Sequence, residues 1–427
     1  HPDYPQIGAR LARFAELVKS PENGMHVYRM TPVTLWQAAA NGVTGERIAE
    51  ELGGMDPEGV TDAMKAHLIE IADRYGRLVL EEDGEHLRLT AADWQTMEKI
   101  CSLKTVAAYI NRRSDAVSVS VRRDHHGELK RELTRAGYPV IDRTRWFHGE
   151  PLPLCLDKTR VTLRDYQREA VRAFCREDGE AGGVIVLPCG AGKTVTAIGV
   201  LAELQCEALI LTGSVTSVRQ WKNELLGKTN AKEAWIGEYA GRSKQVRPIT
   251  IATYQMLTSR DGKGEKRHLD LLHRRNWGII IYDEVHLLPA PVFRLTADVQ
   301  TSRRLGLTAT LVREDGREED VFSLIGPKRF DLTWRSLESE GYLARVQCVE
   351  VAVPFTTKES MRYLAAGKRD KHRIAGENPL KLEVAARLVR QHKDGKILVI
   401  GQYLDQLRQL AARLSAPMIS GRTPQNR

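Results

Sequence analysis

Val184-Ile-Val-Leu-Pro-Cys-Gly-Ala-Gly-Lys-Thr194 is the stretch whose reading decides the fold. An apolar run, Val184 to Pro188, reads as a buried strand, and Val195, Ile198, Leu201 and Leu204 follow at helical spacing. Between them lies a turn of Pro188, Cys189, Gly190, Ala191 and Gly192. Bare backbone donors approach phosphate oxygens where side chains are absent, and a following helix adds its positive N-terminal end. Gly190 and Gly192 provide that access, Lys193 would reach the β- and γ-phosphates, and the Thr194 hydroxyl would take a place on Mg²⁺. The strict pattern wants another glycine five residues before Gly192; Leu187 stands there, so the match is to a looser form of the loop.

A second apolar run, Gly278-Ile-Ile-Ile-Tyr282, delivers Asp283-Glu284-Val285-His286 at its end. Two acids after a strand can be a helix cap or a solvated turn. Beside a phosphate loop they become the Mg²⁺-holding carboxylate, Asp283, and a general base for the attacking water, Glu284. Apolar runs at 184–188, 208–212, 249–253, 279–283 and 304–308 alternate with helical stretches. That pattern predicts an α/β fold, a parallel sheet covered by helices with its ligand at the strands' C-terminal ends.

Further segments keep a fixed order: Leu163-Arg-Asp-Tyr-Gln167, SVRQW ending at Trp221, Ile249-Thr-Ile-Ala-Thr253, YDEVHLLPAPVFR, and Leu307-Thr-Ala-Thr-Leu-Val-Arg-Glu-Asp315. Together they resemble a superfamily 2 helicase, and more narrowly the XPB group of DNA repair and transcription helicases, especially its bacterial members. The resemblance covers about residues 26 to 427. It implies a RecA-like motor domain that uses ATP and Mg²⁺. It further implies Arg164 and Gln167 as nucleotide contacts, with Gln167 reading adenine, and His286, Thr308, Ala309 and Thr310 as the coupling to nucleic acid. Arg313, Glu314 and Asp315 would act at strand separation.

The 427 residues carry 64 Lys and Arg against 55 Asp and Glu, a net charge of +9. That suits a phosphate backbone, and it also suits ordinary solubility. A 42% hydrophobic content allows about three domains with cores. No apolar run approaches the roughly eighteen residues of a membrane span. The chain starts at His1 and so reads as trimmed. Six cysteines, without a CxxC pair, suit a reducing compartment and speak against zinc or an iron–sulfur cluster. Cys189 fills the phosphate turn as a small residue, and His125 and His126 read as a solvated helix start.

Upstream, Thr31-Pro32 opens a helix that Gly42 ends, Thr44 caps a second, and Thr61–Tyr75 forms a third. Arg77–Glu82 and Glu85–Thr90 flank an Asp83-Gly84 turn as a hairpin. Residues 1–92 therefore read as a winged-helix-like domain, which either contacts DNA or only packs. Residues 93–150 take the place of the family's damage-recognition domain. Their basic pairs, Arg112-Arg113, Arg122-Arg123 and Lys130-Arg131, either grip duplex backbone or form a solvated face.

The first RecA-like domain is expected over 151–335 and a connector with a thumb-like insertion over 336–394. On that insertion Lys368, Arg369, Lys371 and Arg373 would grip DNA by resemblance. Residues 395–427 begin a second, incomplete RecA-like domain. No QxxGR segment is found, and loss of such an arginine costs on the order of 10³ to 10⁵ in rate, so little turnover is expected of this chain by itself. The function so read is an ATP-dependent 3′→5′ DNA helicase or translocase, bacterial, cytoplasmic and nucleoid-associated, working in nucleotide excision repair or with a nuclease partner. The alternative is a nucleotide-controlled DNA-binding remodeller that separates no strands; an RNA helicase is a third reading.

Overall fold

Threonine caps and a proline set the first elements. In the computed structural model Thr31 Oγ1 accepts from the Thr34 N–H at 3.2 Å, and Thr34 Oγ1 accepts in return from the Thr31 N–H at 3.0 Å. With Pro32 pre-set for the first turn, the chain enters a helix there. Helix α1 (Tyr4–Leu11) and strands β1 (Glu16–Lys19) and β2 (Val27–Arg29) precede it. Then come α2 (Pro32–Ala40), α3 (Gly45–Met55) and α4 (Asp62–Ala72), the last two capped by Thr44 and Thr61. Phe14, Leu35, Ala38, Ile48 and Ala72 form their shared core. The structure describes residues 4–19, 25–56, 58–122, 125–144, 149–176, 182–259, 268, 271–272, 274–288, 296, 303–310, 318–421 and 423. They divide into two units, residues 1–344 and 345–427.

The expected hairpin forms as β3 (Leu78–Asp83) and β4 (His86–Ala91), but it is no free wing. It joins β5 (Ile110–Arg113), β6 (Ser118–Val121) and β7 (Val140–Asp142) in one sheet of order β5-β6-β4-β3-β7. Leu78, Leu80, Leu87 and Leu89 share a core with Met97 and Ile100 of α5 (Trp94–Ser102), Val106 of α6 (Lys104–Ala107) and Leu129 and Leu133 of α7 (His126–Arg135). Sheet and core therefore run across the expected boundary at residue 92, because a lone two-stranded hairpin cannot bury its apolar face. The change of core falls between α4 and β3.

Here the expectation for His126 needs correction. His126 does not begin a solvated helix start: it is buried, its Nε2 lies 2.7 Å from Asp142 Oδ2, and Lys130 Nζ donates to the same oxygen at 2.8 Å. Lys130 is thus spent inside the fold, as a largely buried charge demands a partner. Arg113 pairs with Glu98 at 2.5 Å on the exposed surface.

The motor body contains α8 (Asp165–Cys175), β8 (Gly182–Val186), α9 (Lys193–Leu204), β9 (Ala208–Thr212), α10 (Val215–Lys228), β10 (Ile236–Ala240), β11 (Ser243–Lys244), β12 (Ile249–Thr253) and α11 (Tyr254–Thr258). After these come β13 (Ile279–Asp283), β14 (Arg303–Thr308), α12 (Glu318–Leu324), β15 (Lys328–Asp331) and α13 (Trp334–Ser339). Among the described residues the strand order is β11-β10-β12-β9-β13-β14-β8-β15, parallel except for β11. Alternate residues feed opposite cores. Ile185, Ile210 and Ile281 lie in one, and Val184, Leu211 and Ile280 in the other. Burial on both faces is why these strands read as unbroken apolar runs.

Helix α12 fastens the N-terminal bodies to this motor. Phe322 packs against Trp36 and Tyr75 at centroid distances of 6.1 and 6.2 Å. Asp320 accepts from Arg135 of α7 at 3.3 Å, and Asn41 donates to the Lys328 carbonyl at 3.0 Å.

The second unit holds α14 (Thr357–Ala365), α15 (Lys368–Gly376), α16 (Pro379–Gln391) and α17 (Leu404–Leu414). The apolar run 396–400 forms no ladder there, and Leu398 and Ile400 are 80% and 86% exposed. No helix among the described residues is long and apolar enough to cross a membrane.

The buried network of α7 sets a pH dependence. Burial, reinforced by Lys130 and Arg304 and opposed by Asp142, lowers the His126 pKa from its ordinary 6.5. Burial raises Asp142, but Lys130 and His126 outweigh it and hold that carboxyl well below its usual range. As pH falls below about 6.5 the unfolded chain takes up a proton at His126 that the folded one refuses, so stability falls with slope up to about 1.4 kcal/mol per pH unit. Asp142 adds stability above its unfolded pKa that is lost only at more acidic pH, as its folded pKa is crossed. We expect His126→Gln to flatten the first of these losses in denaturant melts between pH 6.5 and 5; an unchanged slope would contradict the assignment.

Candidate active site

The phosphate loop lies between β8 and α9, with Gly190 and Gly192 at φ +83° and +77°. A Cβ on Gly192 would sit 2.7 Å from Gln167 Nε2, so a side chain there is barred by both strain and contact. The loop is held from outside by its one inward carbonyl. Ala191 C=O accepts from Tyr166 Oη at 2.8 Å and from Gln167 Nε2 at 3.1 Å. Gln167 Oε1 meanwhile accepts from the Arg164 N–H at 3.0 Å, so both ends of the amide expected to read adenine are engaged with the protein. Arg164 lies with its guanidinium 5.0 Å from the Tyr342 ring, and Tyr342 meets Tyr166 edge-on. Cys189 is exposed and fills nothing.

Lys193 begins α9 and its Nζ lies 3.3 Å from Glu284 Oε1. Glu284 adopts φ +51°, a left-handed conformation unfavourable for a side chain with a Cβ. One residue earlier, at the end of β13, Asp283 Oδ2 accepts from the Trp221 indole N–H at 2.8 Å, and its backbone carbonyl accepts from Tyr254 Oη at 2.6 Å. Burial pushes the Asp283 carboxyl up and the neighbouring Glu284 charge adds to that, while Trp221 and Lys193 oppose it. A carboxylate held in this way gains from a cation.

His286 links this pair to the next strand. Its Nδ1 is 2.8 Å from Thr308 Oγ1 and 3.5 Å from Glu284 Oε2. The Thr308 oxygen also meets the Thr310 carbonyl and accepts from the Thr310 N–H, and the Nδ1–H tautomer of His286 satisfies all three contacts. Ladder pairing brings these parts together: Asp283 stands opposite Leu307, and Thr308 opposite Val186. Lys193, Asp283, Glu284, His286 and Thr308 thus converge as the spacing predicts, with Thr194, Ala309 and Thr310 beside them in the chain. A threonine hydroxyl such as that of Thr194 and a carboxylate such as that of Asp283 are hard oxygen donors of the kind Mg²⁺ takes.

Arg313, Glu314 and Asp315 fall outside the described residues. Lys368 and Arg369 begin α15 of the second unit, Lys371 Nζ lies 5.3 Å from the Tyr363 ring, and Arg373 pairs with Glu377 at 3.0 Å. Sequence reasoning missed Trp221, Tyr254, Tyr166 and Tyr342. Val218, Trp221 and Leu225 fall at core spacing on α10, which hides the polar end of the indole.

Replacing Glu284 by Gln would remove the expected base and the partner of Lys193 together. Hydrolysis is expected to drop by about 10² to 10⁴ with nucleotide affinity kept or raised, read by phosphate release and equilibrium binding. Undiminished turnover would remove Glu284 from the chemistry.

Residues 160–313 match the family model described as type III restriction enzyme, res subunit; residues 1–115 match a helicase conserved C-terminal domain; and residues 337–427 match the ERCC3/RAD25/XPB C-terminal helicase. The DNA 3′-5′ helicase XPB of Mycobacterium tuberculosis is 45% identical over 416 residues, covering 97% of this chain and 75% of that protein. That of Kineococcus radiotolerans is 45% identical over 425 residues, 99% of this chain and 75% of its own length. The general transcription and DNA repair factor IIH helicase/translocase subunit XPB of Enterocytozoon bieneusi is 30% identical over 438 residues, covering 97% of this chain and 71% of that protein. At these identities and coverages the chain belongs to the XPB family of helicases.

Proposed function

We propose that the chain is an ATP-driven motor that moves 3′→5′ on DNA and opens its strands in DNA repair. The observation that carries this is one continuous set of contacts, Lys193 to Glu284, Glu284 to His286, His286 to Thr308 and Thr308 to Thr310. It joins the phosphate end of the site to the segment leading into Arg313-Glu314-Asp315. The names of the relatives favour strand separation over remodelling alone.

In this reading Gly190 to Gly192 offer backbone N–H groups to ATP, and Lys193 leaves Glu284 for the β- and γ-phosphates. Glu284, released from that pair, takes the proton of the attacking water. Thr194 and Asp283 would hold Mg²⁺, which supplies neutralisation of phosphate charge when bound. His286 reports the state of Glu284 to Thr308, and so to the DNA-facing residues. Arg313, Glu314 and Asp315 act where strands part, and Lys368, Arg369, Lys371 and Arg373 grip the backbone, at the bacterial nucleoid and with a repair or nuclease partner.

The test is ATP hydrolysis with and without forked DNA, together with strand separation on forks carrying a 3′ or a 5′ tail. Stimulation by DNA and preference for the 3′ tail are expected. Lys193→Ala should abolish the nucleotide response with the melting temperature unchanged. Hydrolysis indifferent to DNA, unwinding from the 5′ tail, or full ATP binding by the variant would contradict the proposal.

A further inference from the structure

We infer that Trp221 and Tyr254 are positioning residues, a two-point clamp that sets Asp283 toward its metal and Glu284 toward its water. The inference rests on the nucleotide reading above and extends it to residues with no role there. Trp221 is 1% exposed on α10, in a core that apolar side chains alone would fill. Its indole N–H nevertheless ends on Asp283 Oδ2 at 2.8 Å. A buried N–H needs an acceptor, and here it selects one oxygen of one carboxylate and so restricts its rotamer.

Tyr254, the first residue of α11, acts on the same amino acid from the other side of the sheet, since it belongs to the opposite core. Its hydroxyl donates to the Asp283 carbonyl at 2.6 Å. That carbonyl belongs to the peptide joining Asp283 to Glu284, so the hydrogen bond fixes the peptide plane that leads into the left-handed Glu284. Side chain and backbone of Asp283 are therefore held independently, by helices that follow β9 and β12. Outer partners of this kind orient metal ligands, and their removal costs about 10- to 100-fold in metal affinity.

The test is Mn²⁺ binding in the presence of a non-hydrolysable ATP analogue, followed by electron paramagnetic resonance, for the chain, Trp221→Phe and Tyr254→Phe. We expect the Mn²⁺ dissociation constant to rise about 10-fold or more in Trp221→Phe and by a smaller factor in Tyr254→Phe. Metal-free affinity for the analogue should stay the same, a separation that loosened packing would not produce. Wild-type Mn²⁺ affinity in both variants would overturn the clamp. Should Trp221→Phe fail to fold, Tyr254→Phe, which deletes a single oxygen, decides the matter by itself, and unchanged affinity there overturns it. No Mn²⁺ uptake by the unaltered chain would overturn the nucleotide reading and the clamp with it.

Discussion

A loop that binds phosphate through bare backbone has no side chains with which to hold itself, and here the Ala191 carbonyl is its anchor. Tyr166 and Gln167, both on α8, donate to that one oxygen. With Gly190 and Gly192 both left-handed, the chain turns without a Cβ in the way and the first helical residue becomes Lys193. Everything downstream in the site takes its position from that start. The eight-stranded sheet supplies the rest, because Leu187 N–H donates to the Thr308 carbonyl at 3.0 Å and so ties the loop's entry to the coupling segment.

The site is a row of constrained charges. Lys193 and Glu284 neutralise each other, Asp283 is half-buried and held by an indole, and Glu284 carries backbone strain. Strain at a functional residue persists only where the surroundings over-determine it. Here those surroundings are β13, the Tyr254 hydrogen bond and His286. The row crosses from β13 to β14 through the His286 imidazole, which meets the Thr308 hydroxyl.

Much of this was legible in the order of residues. Strands buried on both faces write continuous apolar runs, so all five central runs appear near their expected places, while β10 and β15, interrupted by Gly237 and Glu238 or by Lys328 and Arg329, do not announce themselves. Caps at Thr31, Thr44 and Thr61 are local chemistry and were equally readable. Long-range pairing was not. Nothing near Asp83-Gly84 says that the hairpin will take β6 and β7 as neighbours, and nothing near Lys130 says that Asp142 will bury it. Nor does helical spacing show which core tryptophan aims its N–H at a carboxylate. The resemblance marked SVRQW as meaningful without saying what Trp221 touches.

The most direct measurement is amide hydrogen exchange with and without a non-hydrolysable ATP analogue and Mg²⁺. Nucleotide at the loop between β8 and α9 should protect residues 189–196 and 283–286, with a smaller change reaching 308–310 through His286. Protection confined to another part of the chain, or none at the loop, would contradict the account.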